Sequence, residues 1–152
     1  MFWRRKTLEL NDYGAAINRF VALFERASPV GQQAMMEKDV SKLLMMINET
    51  KRELELLEEE LTHARPSRKE LMDFHKYLVK GIRANILEMG ASRSGAKTRT
   101  VLYADLCAEN LEQAFQEMRN IRDHDGEIFI QLSLNSQARA WVNLVSDDKS
   151  SS

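Results

Sequence analysis

From Met36 to Leu61, apolar residues recur at alternating steps of four and three: Met36, Val40, Leu43, Ile47, Leu54, Leu57 and Leu61, with Thr50 the polar member of the row. Steps averaging 3.5 residues keep one stripe of an α-helix apolar throughout. The row predicts one helix over about residues 32–64, near 50 Å long at roughly 1.5 Å per residue. A stripe of that length must be covered by the chain's own helices or by another protein. Its seven apolar members are therefore the candidate protein interface. Leu44, Met45 and Leu56 lie beside the strict row, a width that fits several neighbouring helices better than an isolated two-stranded coiled coil.

Four further helical segments are expected around this one. A first helix over residues 12–27 carries Ile17, Phe20 and Phe24 on one side, with Asn11 or Asp12 to cap it and a turn at Ser28-Pro29-Val30-Gly31. Ser67, with Glu70 three positions later, has the form of a capping box opening a third helix through Leu71, Phe74, Leu78, Ile82 and Met89. Gly81 in its middle points to close approach by another helix. Gly90 to Lys97 reads as a flexible connection. A fourth helix then aligns Ala104, Cys107, Ala108, Leu111, Ala114, Phe115, Met118 and Ile121. Ile130, Leu134, Ala138, Trp141 and Val145 suggest a fifth, with a strand over residues 127–134 as its competitor. The expected fold is all-α, an antiparallel four- or five-helix bundle with one long helix. Residues 1–11 are expected as a flexible or packed arm, 12–146 as the bundle domain and 147–152 as a disordered tail.

A chain of 152 residues, 43% hydrophobic and 30% charged, is long and apolar enough to bury a core without disulfides or metals. Its net charge of -1 points to neither nucleic acid nor membrane as a partner of the whole molecule. Cys107 is a single cysteine inside an apolar pattern, which marks it as a small core side chain and the compartment as cytoplasmic. No stretch has transmembrane length, and Trp3 beside Arg4, Arg5 and Lys6 is a small anchor for a membrane surface. The methionines mostly follow the helical pattern and read as core filling.

The charges are segregated along the chain. Residues 37–60 carry eight acidic and four basic side chains, whereas residues 65–100 carry nine basic and three acidic. At about 100° per residue, Lys69, Lys76, Lys80 and Arg83 share the side of the third helix opposite its apolar stripe, and Arg93, Lys97 and Arg99 follow. These seven are the candidate nucleic-acid contacts, since a cationic row can follow a phosphate backbone. No aromatic residues interleave them to stack on bases, so the alternative of a solvated helix face paired with acids carries more weight.

Catalytic patterns are weak. Gly90 and Gly95 have the spacing of a phosphate-binding loop, but Ala96 displaces Lys97 and Thr98, and a helix precedes the loop where a strand is needed. His63, His75 and His124 share no ligand spacing, and Glu60 with His63 is half of a two-metal motif. Glu70 with Asp73, and Glu109 with Glu112, have spacings that resemble those of all-helical nucleoside-triphosphate pyrophosphatases, in which acids hold Mg²⁺ against phosphates. Both pairs fall away from the apolar stripes. The sequence therefore points to a non-enzymatic helical-bundle interaction protein, an adaptor or small subunit that associates with a protein partner or itself. A nucleic-acid-binding accessory subunit is the second reading and a metal-dependent pyrophosphatase the third. No metal, cofactor or specific small molecule is implied.

Overall fold

The computed structural model describes residues 6–124 and Gly126. Over these residues the chain is mostly helical: strand β1 (Lys6–Leu8), helix α1 (Leu10–Met36), helix α2 (Val40–Thr62), strand β2 (Ala64–Pro66), a 3₁₀ turn at Lys69–Leu71, helix α3 (Met72–Arg93) and helix α4 (Lys97–His124). The expected fifth helix, its strand alternative over 127–134 and the tail 147–152 lie outside the described residues, as do residues 1–5.

The single long helix is corrected by the structure. α2 has 23 residues, and α1 with 27 and α4 with 28 are both longer. The chain reverses at Glu37–Asp39, because Pro29 lies inside α1 instead of ending it. A proline there removes a helical N–H and costs about 3 kcal/mol. Packing of the following turns offsets that cost. Gly31 lies so close to α2 that a Cβ on it would meet Met46 Cε at 2.8 Å, and Ala34 is buried.

The actual stop is a Schellman turn. The Lys38 amide donates to the Met35 carbonyl at 3.2 Å and the Asp39 amide to the Ala34 carbonyl at 2.8 Å, with Lys38 at φ 56°. Glycine normally takes this left-handed position, and a residue with a Cβ pays about 1–2 kcal/mol there. Asp39 then opens α2, its carboxylate accepting from the Lys42 amide at 3.0 Å. α3 ends by the same geometry with the usual residue: Gly95 sits at φ 75°, and the Ala96 amide donates to the Ala91 carbonyl at 2.9 Å. The connection expected over Gly90–Lys97 thus shrinks to Ser94–Ala96.

At the opposite end, Asp12 reaches back to accept from the Glu9 amide at 2.8 Å, which fixes the start of α1. The capping box expected at Ser67 and Glu70 does not form. The Ser67 amide donates to the Leu8 carbonyl at 2.9 Å, and its hydroxyl is buried without a partner. Ser67 is instead held to the sheet, in which β1 and β2 run parallel with Lys6 opposite Ala64 and Leu8 opposite Pro66.

Successive helices pack antiparallel, as their contacts show. Arg19 pairs with Glu60 while Gly31 abuts Met46; Arg83 pairs with Glu58 while Gly90 lies near Lys51; Gly81 abuts Leu111 while Glu88 acts on Cys107. A Cβ on Gly81 would lie 2.7 Å from Leu111 Cδ2, so the missing side chain is what lets α3 and α4 approach. The continuous apolar core is polarised toward the sheet end. It joins Leu8, Tyr13 and Ile17 to Leu54, Leu57 and Leu61, and these to Phe74, Leu78 and Ile82 and to Ala114 and Met118. Toward the helix-hairpin turns most buried residues are small or polar: Gly31, Ala34 and Thr50, with Ile47 the large exception, in one hairpin, and Ala84, Asn85, Ala91 and Cys107 in the other.

His75, half-buried at the edge of that core, ties three helices together. Its Nδ1 lies 2.7 Å from the Tyr13 hydroxyl, and the ring also hydrogen-bonds the backbone of Leu61. A neutral ring can accept the tyrosine proton while donating to the carbonyl, whereas a charged ring has no acceptor left for Tyr13. Burial lowers the pKa of His75 below 6.5, against the smaller effect of the Leu61 bond, and pushes that of Tyr13 up. A base whose folded pKa is depressed contributes full stability above its unfolded pKa and loses it as pH falls through the folded value. Urea midpoints of the parent protein are therefore expected to fall between about pH 7.5 and about pH 5, and those of His75→Gln to fall less. Glu88, whose carboxyl is raised by burial, works in the opposite direction in both proteins and cancels in the comparison.

Candidate protein interface

The seven residues of the apolar row divide sharply. Ile47, Leu54, Leu57 and Leu61 are at most 5% exposed, and Leu54, Leu57 and Leu61 are members of the main core. As buried side chains of the chain's own fold they present no surface to a partner. Leu43 is half-buried, Val40 is 66% exposed, and Met36, the last residue of α1, is 84% exposed.

Helix register explains the division. Glu58 stands level with Arg83 and Lys51 with Gly90, so the end of α3 stands level with about residue 47 of α2. The α1–α2 turn lies some seven residues farther on. At roughly 1.5 Å per residue, the tip of the first hairpin overhangs the second by about 10 Å. Among the described residues, Val40 and Leu43 continue the stripe of Ile47 and Leu54 beyond the last turn of α3, with Val40 exposed and Leu43 half-buried. Met35 at the tip and Met45 on the outer side of α2 are also exposed. Met45, Met46 and Val30 line a cleft of about 490 Å³ between α1 and α2, rimmed by Arg26, Lys42, Glu49 and Glu53.

The cationic candidates do not form one free row. Lys69 lies in the 3₁₀ turn before α3. Lys76 pairs with Asp73 at 3.9 Å and sits over the Tyr77 ring, 4.7 Å from its centroid, with Lys80 at 5.7 Å. Arg83 is turned onto α2, bonding Glu58 at 2.6 Å and Thr62 at 3.3 Å. A second cleft of about 500 Å³ runs here between α2 and α3, with Glu55, Glu58 and Glu59 along its lining. Arg93, Lys97 and Arg99 gather separately and exposed around the α3–α4 turn.

The catalytic patterns are dispersed by the fold. Gly90 is helical, so the residues spaced like a phosphate loop make no loop. Glu60 pairs with Arg19 while His63 Nδ1 bonds the Glu59 carbonyl at 2.9 Å, so the Glu60–His63 half-motif is split. With Gly81 level with Leu111, Asp73 and Glu109 stand about ten residues apart along the pair, or roughly 15 Å. Among the described residues no three His, Cys, Asp or Glu side chains gather as metal ligands. The thiol of Cys107 is buried, and burial together with the charge of Glu88 pushes its pKa up to about 11. Such a thiol is protonated at neutral pH and inert as a nucleophile.

No helix among the described residues is long and apolar enough to cross a membrane. No known protein family, curated protein or solved structure matches this chain.

Proposed function

We propose that this chain is an antiparallel helical-bundle interaction protein, an adaptor or small subunit, whose contact surface is the projecting tip of the α1–α2 hairpin. The observation that carries the reading is the solvation of Met35, Met36, Val40 and Met45, each more than 60% exposed within about a dozen residues. Isolated apolar residues on a surface need no explanation, but a cluster held clear of the core by the offset of two hairpins does. Methionine suits such a surface because its unbranched side chain adapts to the partner's shape. The nucleic-acid alternative draws less support, since Arg83 is engaged by Glu58 and Lys76 and Lys80 lie over Tyr77.

A photo-reactive amino acid at Val40 should yield discrete cross-linked adducts under native conditions. The same group at Lys76, on an exposed face of α3, should yield none. Equal labelling from both positions, or none from Val40, would remove the basis for this reading.

A further inference from the structure

We infer that the outer face of the first turns of α4, together with the α3–α4 turn before it, docks on an anionic lipid surface. This surface shares no residue with the α1–α2 tip. Residues 89–104 carry Arg93, Lys97 and Arg99 and no acidic side chain. All three cations are exposed, and among the described residues none of them pairs with an acid. By contrast, Arg19, Lys42, Lys51, Lys76 and Arg83 each stand against a carboxylate.

Apolar side chains lie inside this cationic frame. Val101 is 61% exposed and its neighbour Leu102 54%, and Leu106, one turn on, is also exposed. At about 100° per residue, Val101 and Leu102 both point within roughly 60° of the direction opposite the buried Cys107, while Lys97 and Arg99 lie roughly 100° to either side of it. An apolar centre with flanking cations is the arrangement of a helix resting in a lipid interface. Its long basic side chains reach sideways to the phosphates while the aliphatic ones enter the acyl boundary. Asp105, exposed near the same outward direction one turn beyond Val101, limits the depth of contact. α4 therefore meets the surface obliquely, N-terminal turns first, which brings Arg93 at the end of α3 to the headgroups as well.

Charge and shape together select lipid. A nucleic acid would engage the cations and leave Val101 and Leu102 in water. A folded protein partner needs complementary relief, whereas the outer side of a single helix is convex and suits a deformable layer. Each cation near an anionic bilayer raises binding by a factor of about five, and the three together by about a hundredfold. Two aliphatic side chains add too little for permanent anchoring, so the attachment is reversible and weakened by salt.

Flotation of the full chain with vesicles of phosphatidylcholine, alone or with about 30% phosphatidylserine, tests this directly. Binding is expected at about 1 mM lipid when phosphatidylserine is present at 0.1 M salt, and should be lost without it or at 0.5 M salt. Arg93→Gln, Lys97→Gln and Arg99→Gln together should weaken it about a hundredfold, and Val101→Ser with Leu102→Ser about tenfold. Lys76→Gln with Lys80→Gln should change it by less than about threefold. Because Cys107 is buried, a fluorophore can be placed on Leu102→Cys, where its emission should shift to the blue on phosphatidylserine vesicles; on Lys76→Cys it should not. Every substituted side chain in α3 and α4 is exposed, and far-ultraviolet circular dichroism matching the parent confirms folding. The inference is overturned by no flotation at about 2 mM lipid, or by equal binding to both kinds of vesicle. It is also overturned if Trp3→Ser, Arg4→Gln and Arg5→Gln abolish binding while the α4 substitutions do not. Binding to an RNA duplex that needs the three cations but ignores Val101 and Leu102, with no flotation, would reassign the patch to nucleic acid. Any of these results leaves the Val40 cross-linking outcome to decide the interaction reading separately.

Discussion

Leu54→Asp is expected to unfold the protein, whereas Val40→Asp, four steps away along the same stripe, should leave its melting temperature almost unchanged. Leu54 is fully buried in the main apolar core. An unpaired carboxylate at such a site is driven to take up a proton, and losing the leucine's packing adds a further penalty. Together they cost several kcal/mol. Total stability of a domain this size is about 5–15 kcal/mol, so most of it is lost. Val40 is 66% exposed and is the first residue of α2, where a negative charge interacts favourably with the helix N-terminus. Its replacement should shift stability by no more than about 0.5 kcal/mol. Thermal melts followed by circular dichroism give both results in one experiment. Equal losses would mean that the overhang is buried, and the register of the two hairpins would have to be redrawn.

Phe74→Ala should cost about 3–5 kcal/mol without abolishing the helices outright. Its ring has no exposed surface and meets the Tyr13 ring edge-on, with centroids 5.4 Å apart. Tyr13 in turn holds His75, so the cavity opens beside a polar group that joins α1, α2 and α3. Urea titration with a constant denaturant slope would report the loss as a shift in midpoint alone. A loss below about 1 kcal/mol would mean that the surrounding side chains collapse into the space, which close packing on three sides opposes.

What the sequence shows of this fold depends on how many residues carry each signal. The apolar stripe of α2 from Ile47 to Leu61 is long, periodic and buried; in α4 Cys107, Ala114, Met118 and Ile121 are buried, Leu111 and Phe115 are half-buried, and Ala108, expected on the same face, is exposed. The reversal at Glu37–Asp39 is hidden because its left-handed residue is lysine, while Ser28-Pro29-Val30-Gly31 imitates a turn inside a helix that packing holds together. β1 and β2 are three residues each, too short for any alternation to stand out, and their pairing depends on residues 58 apart in sequence. The candidate interface was legible in part. Met36 and Val40 were in the row, but the row alone cannot say that Leu54 faces α1 and α3 while Val40 faces water. That distinction comes from the 10 Å offset between hairpins, which is set by tertiary register and has no local code. The cationic row divides differently: helical angle groups Arg83 with Lys76 and Lys80, and Glu58 on the neighbouring helix pairs with it.

The parallel β1–β2 pair has a kinetic consequence. Each helix hairpin closes through a three-residue turn, so its contacts form between residues near in sequence and on a fast timescale. The sheet must instead bring Lys6 to Ala64, and its backbone bonds repay the closure entropy of that segment only after α1 and α2 have already come together. The strands thus act as a latch that shuts last on a preassembled hairpin, and they are the first contacts released when the chain opens from its N-terminal end.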